Sequence, residues 1–281
     1  MKRALVLAGG GVAGIAWELG VLFGLRDADP DLAASVIGAD LVIGTSAGSA
    51  VAAQVTSGVA LEELFAAQLS EFSAEIEVEL DMDALFARFA EVTARAGTPQ
   101  QMLRAVGELA LGTQTVPESQ RHAAIAARLP VPDWPDRDLR IPAIDAASGE
   151  LTVFSRDSGV ALVDAVAASC AVPGVWPPVT IGDRRYIDGG TRSSTNADLA
   201  AGTDRILVVV PSLADQPDPL RRLDEEIEAL RPTSVLAVYA DARSAAAFGT
   251  NPLSPATRGP SARAGRAVGH SRAAEVADFW A

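Results

Sequence analysis

Ala39-Asp40-Leu41-Val42-Ile43-Gly44-Thr45-Ser46-Ala47-Gly48 is an apolar run that stops on a serine with glycine two residues before it and two after. That pattern, G-x-S-x-G, predicts a strand that turns sharply into a helix, with Ser46 in a strained conformation and its hydroxyl exposed above a sheet. Gly44 and Gly48 fit the bend because a Cβ there would collide with the neighbouring strand and helix. The small residues Ala47, Ser49, Ala50, Ala52 and Ala53 predict a helix packed tightly on that sheet. Its N-terminal dipole lies beside any negative charge that develops at Ser46.

A second glycine cluster lies upstream. Ala4-Leu5-Val6-Leu7-Ala8 predicts a strand, Gly9-Gly10-Gly11-Val12-Ala13-Gly14 a loop, and residues 15–25 a helix. The spacing Gly9, Gly11, Gly14 also matches G-x-G-x-x-G, which in a dinucleotide-binding protein holds a pyrophosphate at a helix start. That reading asks for an acidic residue closing the second strand, where this chain has Gly44-Thr45-Ser46. The same backbone N–H groups, placed beside a nucleophile, serve as an oxyanion hole.

The chain has 281 residues, 49% of them hydrophobic, which is ample for a large core and fits one domain over residues 1–281. A formal net charge of −13 argues against nucleic acid as a partner and against more than transient contact with an anionic membrane. Lys2-Arg3 before an apolar stretch resembles a secretory leader, but the run breaks after about five residues, short of the ~7–15 of a leader core. A strand is expected there instead. No apolar stretch approaches the ~20 residues that cross a bilayer, and the single cysteine, Cys170, forms no disulfide within the chain. A cytoplasmic location is expected.

Between residues 61 and 97, Leu61, Leu64, Phe65, Leu69 and Phe72, then Leu85, Phe86, Phe89 and Val92, recur at helical steps. Glu75, Glu77, Glu79 and Asp81 between them alternate with apolar residues and read as a solvated, irregular rim rather than a metal site. Further helices are expected over 99–111 and 117–129. Residues 61–129 carry no chemical motif and are assigned as a helical insertion that walls the site. Two hairpins follow, 139–146 with 151–155 and 179–181 with 184–187, separated by a helix over 160–169 that ends at a packed, non-nucleophilic Cys170. The second hairpin delivers Asp188-Gly189-Gly190, a carboxylate at a strand end with two glycines behind it. A buried strand spans 205–211, and the remainder, 212–281, reads as helices over 220–230, 234–248 and 262–280 with breaks at Asn251-Pro252 and Gly259-Pro260.

Gly9-Gly10-Gly11 with Gly14, Gly44-Thr45-Ser46-Ala47-Gly48, Ala171-Val172-Pro173-Gly174 with Pro177-Pro178, and Asp188-Gly189-Gly190, in this order, resemble the patatin-like phospholipase family. The resemblance implies a three-layer α/β/α fold with a central mixed, mainly parallel sheet. It also implies Ser46 as nucleophile, Asp188 as its partner in a dyad, the loop Gly9, Gly10 and Gly11 as oxyanion hole, and no metal or organic cofactor. Substrates would be lipid or small acyl esters; the oligomeric state stays open. Ala8 stands where the family often has aspartate and Ala13 where it often has arginine or lysine. With Ala13 uncharged and no basic amphipathic helix, the expectation is that the apolar acyl chain sets specificity and that neutral or zwitterionic esters are cleaved faster than anionic bilayers. Three rivals remain at this stage: a Ser46-Asp188-His270 triad in the chain order of α/β-hydrolases, a nucleotide site on the Gly9 loop, and a binding relative without catalysis.

Overall fold

The computed structural model describes residues 1–215 and 223–281. Strands are β1 (Arg3–Leu7), β2 (Leu41–Gly44), β3 (Asp138–Asp145), β4 (Leu151–Phe154), β5 (Val179–Ile181), β6 (Arg184–Asp188), β7 (Arg205–Leu213) and β8 (Ser234–Ala240). They form one sheet in the order β5-β6-β3-β2-β1-β7-β8, with β4 paired to β3. β3, β2, β1, β7 and β8 run parallel to their neighbours along that path, and the β4, β5 and β6 pairings are antiparallel. β1 sits in the middle and is apolar throughout because both faces of a parallel sheet are covered. Leu5 and Leu7 enter one core, and Ala4, Val6 and Ala8 the other.

The helices are α1 (Gly11–Ala28), α2 (Pro30–Ile37), α3 (Ala47–Val55), α4 (Leu61–Leu69), α5 (Met82–Thr93), α6 (Pro99–Gly112), α7 (Glu118–Ala126), α8 (Leu162–Ser169), α9 (Leu223–Ala229), α10 (Ala242–Phe248) and α11 (Arg258–Trp280). One face of the sheet is covered by α1, α2, α3, α8 and α11, and the other by residues 197–200 and α9. The result is a three-layer α/β/α fold with a mixed, mainly parallel sheet.

Residues 61–129 divide among three places. α4 stacks on α1 through Phe65 on Phe23, with ring centroids 4.3 Å apart; α7 packs on α8; α5 and α6 cover Ile144 and Ile187 on the far face. Among the described residues, no helix is long and apolar enough to cross a membrane.

The C-terminal stretch departs most from expectation. Residues 234–248, read as one helix, are β8 followed by α10. Ser-Val-Leu-Ala-Val-Tyr-Ala is a short apolar run whose periodicity does not separate strand from helix, and β7 offers it an open parallel edge. Gly259-Pro260 is no break, since Pro260 lies in the first turn of α11, where a missing N–H costs nothing. Part of the expected helix over 220–230 lies outside the described residues. The eight-residue α2, started by Pro30 after an Asp29 cap, was not anticipated.

α11 carries weight that no motif announced. It lies along α1 with Gly265 and Gly269 against the backbone of Trp17 and Val21, while Gly20 and Gly24 of α1 face Ala262 and Arg266. A Cβ at Gly269 would stand 2.0 Å from the Val21 carbonyl oxygen. Only glycine lets the two helix backbones come this close. α1, whose N-terminus forms the glycine loop, is therefore held between the sheet and α11.

Candidate active site

β2 ends at Gly44 and α3 begins at Ala47, so Ser46 occupies the bend between them. Its backbone sits at φ 51° and ψ −115°, a costly conformation for a residue with a Cβ. Close packing imposes it: a Cβ on Gly48 would lie 2.1 Å from the Leu7 carbonyl oxygen, and one on Gly44 2.4 Å from that of Gly48. The bend is then fixed by hydrogen bonds. Ser46 N–H donates to Ser169 Oγ at 3.0 Å, Ser49 Oγ donates to the Ser46 carbonyl at 2.6 Å, and Cys170 Sγ donates to that carbonyl at 3.1 Å. Cys170 is buried, and burial raises its thiol pKa, which suits packing rather than attack.

Asp188 comes from the end of β6, paired with Ala143 of β3. Ser46 Oγ donates to Asp188 Oδ2 at 2.7 Å, and Gly190 N–H donates to Oδ1 at 2.7 Å. Burial pushes the carboxyl up to about 7, against the opposing pull of the Ser46 and Gly190 hydrogen bonds and the Arg121 charge. An ordinary aspartate near 3.9 is a poor base for a hydroxyl; this one is poised near neutrality. Gly189 packs on the Pro142 carbonyl, bringing the turn against β3.

The glycine loop lies over the serine, with Gly9 against Ser46 Cβ. Gly9 N–H donates to the Ser194 carbonyl at 2.8 Å, which removes it from the expected trio of oxyanion donors and leaves Gly10 and Gly11 at the start of α1. Gly14 N–H donates to the Gly10 carbonyl as the helix closes its first turn, and Ala13 N–H donates to the Pro252 carbonyl. The latter bond and the seat of Gly10 on Pro211 stiffen the loop through backbone and packing, without a charged or polar side chain at Ala8 or Ala13. This packing also works against the nucleotide reading, since N–H groups a pyrophosphate needs are already engaged.

Sequence reasoning missed the bracket that fixes the two strand ends relative to each other. Asn196, in left-handed conformation at φ 49°, donates from Nδ2 to Thr45 Oγ1 at 3.1 Å and to the carbonyls of Ser193 and Gly189. Thr45 Oγ1 donates to the Thr195 carbonyl, and Glu226 accepts from Thr195 Oγ1 and Ala197 N–H. Short polar residues in a loop carry no periodic signal, so nothing in the sequence singled these out.

Ala13 brings no charge to the glycine loop, but positive charge reaches the serine from α7 and the residues after it. Arg121, Arg128, Cys170, Val172 and Trp176 share with Ser46 a recess of about 10 Å³, room for roughly one water. Arg121 lies 3.9 Å above the Trp176 ring. Glu75, expected on a solvated rim, is buried and accepts from Arg128 Nε and Nη2 at 2.7 and 2.6 Å. Burial alone would raise its carboxyl, but Arg128, and behind it Arg121 and Arg258, hold it below its ordinary value. One sequence signal was available: Arg121 and Arg128 stand two helical turns apart, close to one face of the expected helix.

The two histidines stand elsewhere. His122 Nε2 lies 2.9 Å from Asp164 Oδ1, and His270 is exposed on α11, beside Gly24 of α1.

A family model described as patatin-like phospholipase matches residues 5–201. No curated protein matches the chain. Two solved structures align with nearly all of it: VipD from Legionella pneumophila, 13% identical with a TM-score of 0.49 over 99% of this chain and 66% of that one, and the type III effector protein ExoU, 16% identical with a TM-score of 0.43 over 98% and 53%. The chain thus spans about two thirds of the first and half of the second. With the family model covering well over half of its length, the chain belongs to the patatin-like phospholipase family.

Proposed function

We propose that this protein is a serine acyl hydrolase of lipid esters, working through a Ser46–Asp188 dyad. The observation that carries the reading is the 2.7 Å hydrogen bond from Ser46 Oγ to a carboxylate poised near neutrality. Ser46 Oγ bonds to the ester carbonyl carbon as its proton passes to Asp188 Oδ2. The carbonyl π electrons move to oxygen, and the resulting oxyanion is met by N–H groups of Gly10 and Gly11 at the N-terminus of α1. Collapse breaks the bond to the leaving alkoxide, which takes the proton from Asp188. Water then attacks the acyl-enzyme and gives a proton to Asp188; collapse of this second tetrahedral intermediate breaks the bond to Ser46 Oγ, which takes that proton back from Asp188, and the fatty acid leaves.

Membership of a phospholipase family supports a lipid ester as substrate, and a cavity of about 370 Å³ beside the site, lined by Ile15, Leu64, Phe72 and Ala124 together with Gln54, Gln68 and Arg258, has room for an acyl chain. The test is labelling with a fluorophosphonate probe, followed by mass mapping of the adduct. A single adduct on Ser46, absent from Ser46→Ala, is expected; an unlabelled protein that hydrolyses no acyl ester rules the reading out.

A further inference from the structure

Arg121 and Arg128 reach the nucleophile from a segment that carries no sequence motif, and their hydrogen-bonding capacity is not filled. Both guanidinium groups contact the Glu75 carboxylate, while buried Asp188 acts on Arg121 through its charge alone. Arg128 uses its fork fully on that carboxylate. Arg121 does not: its side chain is only 6% exposed, its Nη1 stands 3.8 Å from Glu75 Oε2, and its Nε and Nη1 have no hydrogen-bond acceptor. A buried charge left without acceptors costs free energy, and the natural relief is a ligand with more oxygens than a carboxylate offers. Trp176 keeps the guanidinium plane in place from below.

Position gives this pair its meaning. Arg128 Nη1 lies 3.8 Å from Cys170 Sγ, itself bonded to the Ser46 carbonyl. Both arginines line the recess at Ser46, which has no room for an ester. Val12 and Arg128 belong also to the wall of the 370 Å³ cavity, as does Glu75. The Glu75–Arg128 pair therefore stands at the partition between nucleophile and acyl cavity. Glu75 is borne on residues 70–81, outside any helix or strand, so its withdrawal breaks no regular element.

We infer that Arg121 and Arg128 form an anion subsite that receives the phosphate of a phosphate-bearing acyl ester, and that Glu75 fills it in the free protein and is displaced by that phosphate. The inference rests on Ser46 being the nucleophile. A carboxylate held bidentately by arginine has the geometry that the same fork gives to a phosphate, and a phosphate brings further oxygens for Arg121. This separates local from global charge. The surface, at −13, repels an anionic bilayer over the ~8–10 Å Debye length, while the recess selects phosphate, so a phosphate in a zwitterionic headgroup satisfies both.

The test measures binding to the full chain carrying Ser46→Ala, so that nothing is turned over. The probes are the hexadecyl ether of glycerol phosphate, which has no ester, the neutral hexadecylglycerol ether, and inorganic phosphate. A preference for the phosphate ether of at least about tenfold is expected; adding Arg121→Gln should reduce that ratio by roughly tenfold, towards one, as for the loss of charge-assisted hydrogen bonds. Arg121→Lys, which keeps the charge and loses the fork, should give an intermediate ratio and serves if the glutamine variant does not fold. Glu75→Gln should lower the unfolding temperature yet bind the phosphate ether more tightly, an outcome a purely structural ion pair does not produce. Equal affinity for both ethers, or weaker binding in Glu75→Gln, overturns the subsite. Inorganic phosphate binding as tightly as the phosphate ether overturns the headgroup assignment. A phosphate preference in a protein that no fluorophosphonate labels would instead remove the hydrolase reading and leave the subsite standing.

Discussion

The two walls of the site are built on different physical terms. On one side, Ser46 and Asp188 hang from strand ends whose positions follow from sheet register, close glycine packing and backbone hydrogen bonds, none of which depends on net charge. On the other, Arg121, Arg128 and Glu75 are held by their charges, and Glu75 comes from a stretch with no regular structure. The difference lies in what positions each wall: Ser46 and Asp188 sit at strand ends, and Glu75 sits on a segment outside any helix or strand, the part that the proposed subsite asks to yield to a substrate.

The largest expected effect falls on the rigid wall. Ser46→Ala should lower ester hydrolysis by at least about a thousandfold, in line with removal of a catalytic nucleophile, and leave the unfolding temperature near the parent's. Residual activity within tenfold of the parent moves the nucleophile elsewhere. Asp188→Asn keeps the shape and loses the base, so a fall of roughly 10²- to 10⁴-fold is expected. A parental rate there breaks the dyad.

The same carboxylate links activity to pH. Its folded pKa near 7 lies above the ~3.9 of an unfolded aspartate, so its contribution to stability is fully present below about pH 4 and is lost as pH rises through 7. Hydrolysis needs the ionised form and so runs the other way: kcat/KM should rise about tenfold per pH unit up to about 7 and then level. Arg121→Gln sharpens the comparison between the walls. The Arg121 charge favours ionised Asp188, so the acid limb should move to higher pH by up to about one unit. An unmoved limb would mean that the charged wall acts on substrate alone.

How much of this was legible follows from the same contrast. The elbow and the Asp188 turn could be read because steric demands on glycine are local and leave a fixed spacing. The charged wall could not, because Glu75 and Arg128 meet only after α4 and α7 have packed on α1 and α8. Ser169, Asn196 and the bond from Cys170 to the Ser46 carbonyl escaped for a third reason: a hydroxyl, thiol or amide bonded to a backbone group has no periodicity. Residues 234–248 misled because apolar residues flanked by alanine satisfy both helical and strand spacing, and the choice was made by the free edge of β7.

A smaller and purely mechanical effect tests whether the rigid wall extends beyond the family's matched region. Gly269→Ala places a methyl group against the Val21 carbonyl and should cost roughly 1–3 kcal/mol of stability, as overpacking does. α1 carries the loop proposed as oxyanion hole, so on that proposal kcat should fall with KM little changed. Denaturant unfolding and steady-state kinetics on the same preparation measure both. A destabilised variant with parental kcat would separate α11 from the site.

The smallest expected effect concerns the histidines, and it is the sharpest test of the dyad. In a triad an imidazole stands between the serine and the carboxylate, yet here Ser46 Oγ and Asp188 Oδ2 are 2.7 Å apart, and no ring fits between atoms in direct hydrogen-bond contact. His270 sits on the exposed side of α11, beyond the glycine contact with α1, and His122 is turned toward Asp164. Surface substitutions of this kind change stability by about 0.5 kcal/mol or less, and the partly exposed His122–Asp164 hydrogen bond adds at most about 1 kcal/mol. His270→Ala should therefore keep kcat/KM within about twofold of the parent, and His122→Ala within a few-fold. Both are measured above pH 7, where Asp188 is already ionised. A hundredfold loss in either would require an imidazole at the serine in the working state, and with it a rearrangement of the sheet side that its hydrogen bonds and glycine packing oppose.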